Sequence, residues 1–403
     1  MSNIAIICEY NPFHNGHKFQ IETHKKKLSA DGVICIMSGN FVQRGAPAVC
    51  DKWKRAEMAL SGGADLVIEL PAVFATQSAE RFGYGAVLLA DKLGVVDYLS
   101  FGCECDDLSL LKRSAKSVCD EDVKRKTAEL LKSGISYPVA RKEAAGEEFG
   151  KVLDEPNNIL AIEYLKALSK IDSKIIPAPL KREGCAHDSE ETEGEFASAS
   201  YLRNCVLNEM SVTEFMPEAC ADILKKADVF KDKKALDSII TYLLRTKSAQ
   251  ELSQISDMAE GLENRFIEAA KMFSSFDEIS EFVKTKRYTK TRIDRILINI
   301  LLSITKEDIK KEPCYVRVLG FNEKGREILS AIKKKADIPI ITKVKDAHLS
   351  PVGEQMLKKD IYATDIYSLI LSNGKSGLDF TNKVRIFGFE KNSRTCAACR
   401  RRL

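Results

Sequence analysis

Residues 3–17 read Asn3-Ile4-Ala5-Ile6-Ile7-Cys8-Glu9-Tyr10-Asn11-Pro12-Phe13-His14-Asn15-Gly16-His17. Ile4 to Cys8 is a short apolar run rich in β-branched side chains, the pattern of a buried strand. A helix is expected from about Gly16, so His14-Asn15-Gly16-His17 falls where a strand hands over to a helix. A helix N-terminus presents unpaired backbone N–H groups and a partial positive charge, which suits phosphate. Imidazoles one turn apart, His14 and His17, would donate hydrogen bonds to an α-phosphate and to a departing pyrophosphate as charge develops. Gly16 between them would let a nucleotide approach the backbone. The alternatives are a turn carrying solvated histidines, or a two-histidine metal site. Helical metal ligands are spaced i,i+4 and want a third ligand nearby, which disfavours the metal.

Outward from this stretch the alternation repeats. Strand-like runs at Gly32 to Met37, Asp65 to Leu70 and Asp97 to Phe101 are separated by helical segments from Asp51 and over Ala79 to Leu93. Such alternation implies an α/β fold with a parallel sheet covered on both faces. Ligands of these sheets sit beyond the carboxyl ends of the strands, here the loops Glu9 to His17, Ser38 to Ala48 and Phe101 to Asp106. Residues 107–175 read as mainly helical, and a further strand-loop-helix unit spans Lys174 to Arg203 through an acidic loop, Asp188 to Glu195. From Cys205 to Lys311 apolar residues recur at helical spacing, as in residues 235–246 and 292–304. A new β/α pattern opens at Tyr315 to Leu319, with a helix over Gly325 to Lys335 and a strand over Ile338 to Thr342. The expected domains are 1–205, catalytic; 206–312, helical; and 313–403, a small α/β domain.

The 403 residues, 44% hydrophobic, are enough for a large core and more than one domain. With 62 basic and 58 acidic side chains the net charge is only +4, so attraction to an anionic partner must come from local clusters. The twelve cysteines are scattered, several inside apolar runs (Cys8, Cys35, Cys220), which reads as reduced thiols rather than a disulfide framework. The N-terminal apolar stretch is too short for a signal peptide and no run is long enough to span a bilayer, so a cytoplasmic protein without membrane insertion is expected.

Ala197-Ser198-Ala199-Ser200-Tyr201-Leu202-Arg203 opens another predicted helix. Serine hydroxyls, helix-start N–H groups and Arg203 would hold β- and γ-phosphates; the alternative is an ordinary N-cap followed by a surface arginine. The HxGH stretch after a first strand resembles the HIGH signature of adenylyl- and cytidylyltransferases and class I aminoacyl-tRNA synthetases, and the serine-rich stretch resembles their ISSTxxR signature. With Ser38-Gly39-Asn40-Phe41-Val42-Gln43-Arg44-Gly45, Asp65-Leu66-Val67-Ile68-Glu69-Leu70-Pro71, Pro156-Asn157-Asn158-Ile159-Leu160, Arg317-Val318-Leu319-Gly320-Phe321-Asn322 and Ala363-Thr364-Asp365-Ile366-Tyr367, the chain resembles the bacterial tRNA(Met) cytidine acetate ligases along nearly its whole length.

That resemblance implies a Rossmann-like HIGH-type nucleotidyltransferase domain, then a helical region and a small α/β domain. It implies acetyl-adenylate formation from acetate and ATP, and acetyl transfer to the wobble cytidine of elongator tRNA(Met). Its ATP-binding loop corresponds to Ile7, Cys8, Glu9, Tyr10, Asn11, Pro12, Phe13, His14, Asn15, Gly16, His17, Lys18, Phe19 and Gln20, with further contacts at Gly102, Asn157 and Arg182. Ser198 and Ser200 join them from the second signature, and His14, His17 and Arg203 are the expected catalytic groups. Asn157 and Asn158 lie before a predicted helix, where one would be the N-cap and the other would face the nucleotide. Magnesium is expected with the triphosphate, but no protein ligand set can be read. Ala46 stands where the family more often has an acid, and Cys103 where a small hydroxyl residue is common.

Gln43 and Arg44 are expected to face acetate or RNA, with Lys52, Lys54 and Arg55 as a basic rim. Lys284, Lys286, Arg287, Lys290, Arg292 and Arg295 fall within twelve residues containing one acid, with Tyr288 among them. The cluster reads either as a solvated face or as a phosphate-binding surface with a stacking tyrosine, and the resemblance favours tRNA. Arg394, Arg400, Arg401 and Arg402 would add to it. His187 and Asp188 lie in the loop that leads to the second phosphate stretch and are expected near it, and the Cys396/Cys399 pair reads as an incidental tail feature. The competing readings of function are a small-molecule adenylyl- or cytidylyltransferase and a non-catalytic tRNA-binding protein.

Overall fold

The computed structural model describes residues 1–182, 194–259 and 261–388. Its first part is β1 (Asn3–Cys8), α1 (Asn15–Lys27), β2 (Gly32–Ser38), the hairpin β3 (Phe41–Val42) and β4 (Ala46–Pro47), α2 (Lys52–Ser61), β5 (Leu66–Leu70), α3 (Ala72–Ala75), α4 (Ala79–Lys92) and β6 (Tyr98–Cys103). Helices α5 (Leu108–Ser117), α6 (Glu121–Lys132), α7 (Tyr137–Val152) and α8 (Pro156–Lys170) precede β7 (Ile176–Lys181) and α9 (Ala199–Leu207). Then come α10 (Glu218–Lys225), α11 (Lys234–Thr246), α12 (Ala249–Ser253), α13 (Leu262–Met272), α14 (Phe276–Val283) and α15 (Lys290–Leu301). The last described part is β8 (Val316–Phe321), α16 (Glu323–Lys335), β9 (Ile340–Ile341), α17 (Pro351–Leu369), α18 (Leu378–Thr381) and β10 (Arg385–Ile386).

The strands expected from apolar runs form one sheet in the order β10-β8-β5-β2-β1-β6-β7, with β9 beside β8. β1 lies parallel to β2 (Asn3 opposite Gly32) and to β6 (Ile4 opposite Tyr98). Because β2 and β6 flank β1 on opposite sides, the strand order reverses at β1 and opens a crevice beyond its carboxyl end. Helix starts follow local rules: Asp51, Asp107 and Asp120 cap α2, α5 and α6 by accepting backbone N–H bonds in the first turn.

The small α/β domain expected over 313–403 shares its sheet with the first part of the chain. β8 pairs antiparallel with β5, Leu66 opposite Phe321, and so extends the first sheet. The physical reason is burial: β8 is buried along its whole length and covers the edge β5 would otherwise expose. The helical region is also divided, since α10 packs on α2, where the Cys220 thiol donates to the Met58 carbonyl, while α11 to α15 share one apolar core with the sheet. Among the described residues no helix is long and apolar enough to cross a membrane.

The expected basic rim at Lys52 and Arg55 is corrected. Both are fully buried. The Lys52 ammonium bonds Glu69 at 2.7 Å and Asp379 at 3.0 Å, and Arg317 bridges the same two carboxylates. Buried charges persist only when paired in this way. Arg55 donates to the carbonyls of Glu9 (2.6 Å), Ser38 (3.0 Å) and Gly39, tying the ends of β1 and β2 together. Lys54 alone stays near the surface, paired with Glu57. His187, Asp188, Arg394, Cys396, Cys399, Arg400, Arg401 and Arg402 lie outside the described residues.

Candidate active site

Beyond Cys8 the chain turns sharply, with Tyr10 at φ 45° and a cis Asn11–Pro12 bond. Tyr10 and Phe13 point into the core, and Phe13 covers Gly62, where an added Cβ would lie 2.2 Å from its ring. His14 is then the N-cap of α1. Its Nδ1 accepts from the Gly16 N–H (3.1 Å), and its own N–H donates to Nδ1 of His17 (3.2 Å). The spacing of the motif is thus that of a capping box built from imidazoles. With Nδ1 accepting in both, a neutral ring at either position would carry its proton on Nε2, where it can donate to phosphate oxygen. The rings stack with centroids 3.6 Å apart. A Cβ at Gly16 would fall 3.0 Å from the His14 ring, which would have to shift by a few tenths of an ångström to admit it.

The second serine-rich stretch meets the first. Ser198 caps α9, accepting from the Tyr201 N–H at 3.0 Å, as the ordinary-cap alternative supposed. Arg203 is no surface side chain: it donates to the Asn11 carbonyl and to Ser200 Oγ, both at 2.9 Å. Asn15 adds a latch, with its N–H on the Phe215 carbonyl and its amide on those of Glu195 and Glu214.

These elements surround a cavity of about 570 Å³ lined by Ile7, Cys8, Glu9, Tyr10, Asn11, His17, Gln20, Gly102, Asn157, Arg182 and Arg203, together with Gln43 and Arg44. His14, Gly16 and Phe19 line a small adjoining cleft shared with His17, Gln20, Gly102 and Arg182. Pro12, Phe13, Asn15, Lys18, Asn158, Ser198 and Ser200 line neither. Phe13 serves packing, Asn15 and Ser198 hold backbone, and Lys18 pairs with Glu22 at the surface.

Neither asparagine caps α8, whose N-cap is Glu155, so that expectation is corrected. Pro156 takes the first helical position and moves both asparagines inside the first turn. Asn158 Oδ1 instead accepts the N–H groups of Glu104 (3.0 Å) and Cys105 (2.9 Å), while the Glu104 carboxylate accepts from the Asn158 N–H and from Asn157 Nδ2. This reciprocal lock fixes the loop after Gly102 against the start of α8, where an acidic group also suits the helix dipole. Arg182 follows β7 beside Gly102; burial draws its pKa down, with the Glu104 carboxylate opposing. Burial also raises the Cys103 thiol to about 12, an inert packing group.

The basic cluster proves mixed. Lys284, Lys290 and Arg292 pair with Glu281, Asp294 and Asp257, and Arg287 and Arg292 lie over the Tyr288 ring. Lys286 and Arg287 are exposed. What the sequence reading missed is that the start of α15 belongs to the cavity wall, through Thr289, Thr291 and Arg295. The one available signal was Gly45: at φ 81° it lets the Gln43 to Gly45 loop sit on α15, and a Cβ there would lie 2.4 Å from the Arg295 nitrogen. Tyr137, Arg141 and Glu163, also cavity-lining, were missed and carry no local pattern.

A mostly parallel sheet whose strand order reverses beside an imidazole-capped helix, with an arginine from a second helix start bonded to that loop, defines a nucleotidyltransferase of the HIGH class. Residues 1–379 match the HIGH Nucleotidyl Transferase family. The chain is 46% identical over 398 residues to the tRNA(Met) cytidine acetate ligase of Thermoanaerobacter sp. (strain X514), covering 94% of this chain and 98% of that one. It is 44% identical over 402 residues to the protein of that name from Caldanaerobacter subterraneus subsp. tengcongensis, with 95% and 99% covered. The crystal structure of apo Thermotoga maritima TmcAL, 34% identical, superposes with a TM-score of 0.90 over 96% of this chain and 99% of that chain. A second form of that protein, bound with alpha-thio ATP, gives 0.87 over the same shares. The chain belongs to the tRNA(Met) cytidine acetate ligase family.

Proposed function

We propose that this chain joins acetate to the N4 amine of the wobble cytidine in elongator tRNA(Met), forming N4-acetylcytidine at the expense of ATP. The observation that carries the reading is a single cavity walled both by the two linked phosphate-type helix starts and by the first turn of α15, beside which the exposed Lys286 and Arg287 stand. An adenylating site for small molecules needs only the first wall. The family relatives named for this reaction span nearly the whole chain, α15 included, which supports the same conclusion.

In this mechanism an acetate oxygen attacks the α-phosphorus, the bond to the bridging oxygen breaks, and pyrophosphate leaves with both electrons of that bond. His14 and His17 donate through Nε2, and Arg182 and Arg203 add positive charge where the leaving oxygens gather it. The cytidine amine then attacks the acetyl carbon, AMP departs with its phosphate oxygen, and the amine gives up one proton. Activation is needed because carboxylate is a poor acyl donor and AMP a good leaving group. Magnesium would arrive with the triphosphate and neutralise part of its charge. The reading places residues 1–205 in catalysis and 206–312 in tRNA contact, in the cytoplasm where tRNA is available.

The test is purified protein with ATP, magnesium, isotopically labelled acetate and tRNA(Met), followed by mass spectrometry of the digested RNA and quantitation of AMP. Labelled acetylcytidine requiring every component is expected. AMP and pyrophosphate without labelled RNA would overturn the acceptor, and turnover indifferent to acetate would overturn the activation step.

A further inference from the structure

The cavity has a wall that the phosphate chemistry leaves unused. Tyr137, the first residue of α7, is 47% exposed at the cavity while Arg141, one turn later, is only 8% exposed. The Arg141 Nη1 binds Glu163 Oε1 at 2.7 Å, but its Nη2 is buried with no hydrogen-bond partner. Glu163 is also held by Lys166 (2.7 Å), which reaches Glu80 at 3.0 Å.

A buried guanidinium nitrogen without an acceptor is costly, and at a cavity wall either an ordered water or a ligand atom can supply one. The charge of Arg141 is already balanced by Glu163, so that ligand needs acceptor atoms but no net charge. Arg141 and Lys166 are matched by Glu163 and Glu80, so the group as a whole offers an anion no net attraction. A cytosine ring satisfies the same N–H groups without charge, since its O2 and N3 are neighbouring acceptors. Uracil does not, because its N3 carries hydrogen. A half-exposed tyrosine one helical turn away supplies the face on which an unstacked base rests, the usual means of holding single nucleotides.

We propose that Tyr137 and Arg141 form the pocket for the acceptor nucleobase, Tyr137 stacking on the cytosine and Arg141 Nη2 donating to its O2 and N3 edge. The inference rests on the acetyl-transfer reading above and adds to it the residues that choose the base.

The experiment compares wild type with Tyr137→Ala, Tyr137→Phe, Arg141→Gln and Arg141→Lys in two assays, alongside thermal unfolding of each variant. One assay is acetate-dependent ATP–pyrophosphate exchange without RNA; the other is acetyl transfer to tRNA(Met), with competition by a transcript carrying uridine at the wobble position. Exchange should stay within about twofold of wild type in every variant. Transfer kcat/KM should fall about tenfold or more in Tyr137→Ala and stay near wild type in Tyr137→Phe, as stacking requires. Arg141→Gln and Arg141→Lys should lose about tenfold or more in transfer and most of the preference for cytidine over uridine. Arg141→Lys keeps a cation for Glu163, so a normal unfolding midpoint there separates recognition from folding. Exchange falling in step with transfer, or unchanged cytidine preference, would overturn the pocket. Wild-type protein that exchanges pyrophosphate yet never acetylates the RNA would overturn the functional reading, and the pocket with it.

Discussion

Replacing Asn158 by alanine isolates the lock that holds the loop after Gly102. The side chain is 2% exposed and its Oδ1 accepts two backbone N–H bonds, from Glu104 and Cys105. At about 1 kcal/mol net for each, roughly 2 kcal/mol of loop order is lost, and a little more if the N–H groups stay buried without a partner. The loop carries Glu104, which positions the Asn157 amide, and it follows directly on cavity-lining Gly102. If nucleotide binds only the ordered loop, apparent ATP affinity falls by the fraction of molecules in which it is ordered, up to about 30-fold for 2 kcal/mol. Isothermal titration with a non-hydrolysable ATP analogue measures this, and urea unfolding of the same variant reports global stability. We expect weakening of about ten- to thirtyfold with a smaller change in the unfolding midpoint, because a loop can open without the sheet. Affinity within threefold of wild type, together with a global loss near 2 kcal/mol, would refute the reasoning and make Asn158 a packing residue only.

Other expectations follow from the same geometry. His17→Ala should slow acetate-dependent pyrophosphate exchange by about 10²- to 10³-fold while leaving tRNA affinity within twofold in a filter-binding assay, since the donor acts on charge that appears in the transition state. Burial and the Glu69 carboxylate raise the Asp360 carboxyl to about 7. A raised folded-state value means the native protein holds the extra proton between about 4 and 7, so this group's contribution is full below about 4 and declines as pH rises through 7. Asp360→Asn should therefore flatten the fall in unfolding free energy across that window, and an unchanged slope would exclude Asp360 as its source. Replacing Lys286 and Arg287 together by alanine should weaken tRNA binding and reduce the slope of log K against log salt by up to about 1.5, as expected for two lost phosphate contacts. An unaltered slope would place the RNA elsewhere.

The parts of this molecule that could be read in advance are those fixed by local chemistry. Continuous apolar runs announced β1, β2, β5 and β6 within a residue or two, and the strand-to-helix position of His14 and His17 marked the site. Pairings between distant parts of the chain left no such trace. Nothing within Val316–Phe321 says that its partner is Leu66–Leu70, or that the partnership runs antiparallel. Lys52 and Arg55 looked solvent-facing because lysine and arginine usually are; the carboxylates and carbonyls that permit their burial come from other elements. The asparagine error was avoidable, since Pro156 at the first helical position already moves the cap to Glu155. The cavity wall of Arg141 and Thr289 was invisible because helices at separate places in the chain make it.

The antiparallel addition of β8 to β5 bears on how the protein is made. During synthesis the first two hundred residues can leave the ribosome while β5 is still an unpaired edge and Lys52 and Glu69 still await Arg317 and Asp379. An open edge is a template for pairing with another nascent chain. The enzyme's vulnerable period is therefore its own translation, ending only when the strand that seals the sheet has been delivered.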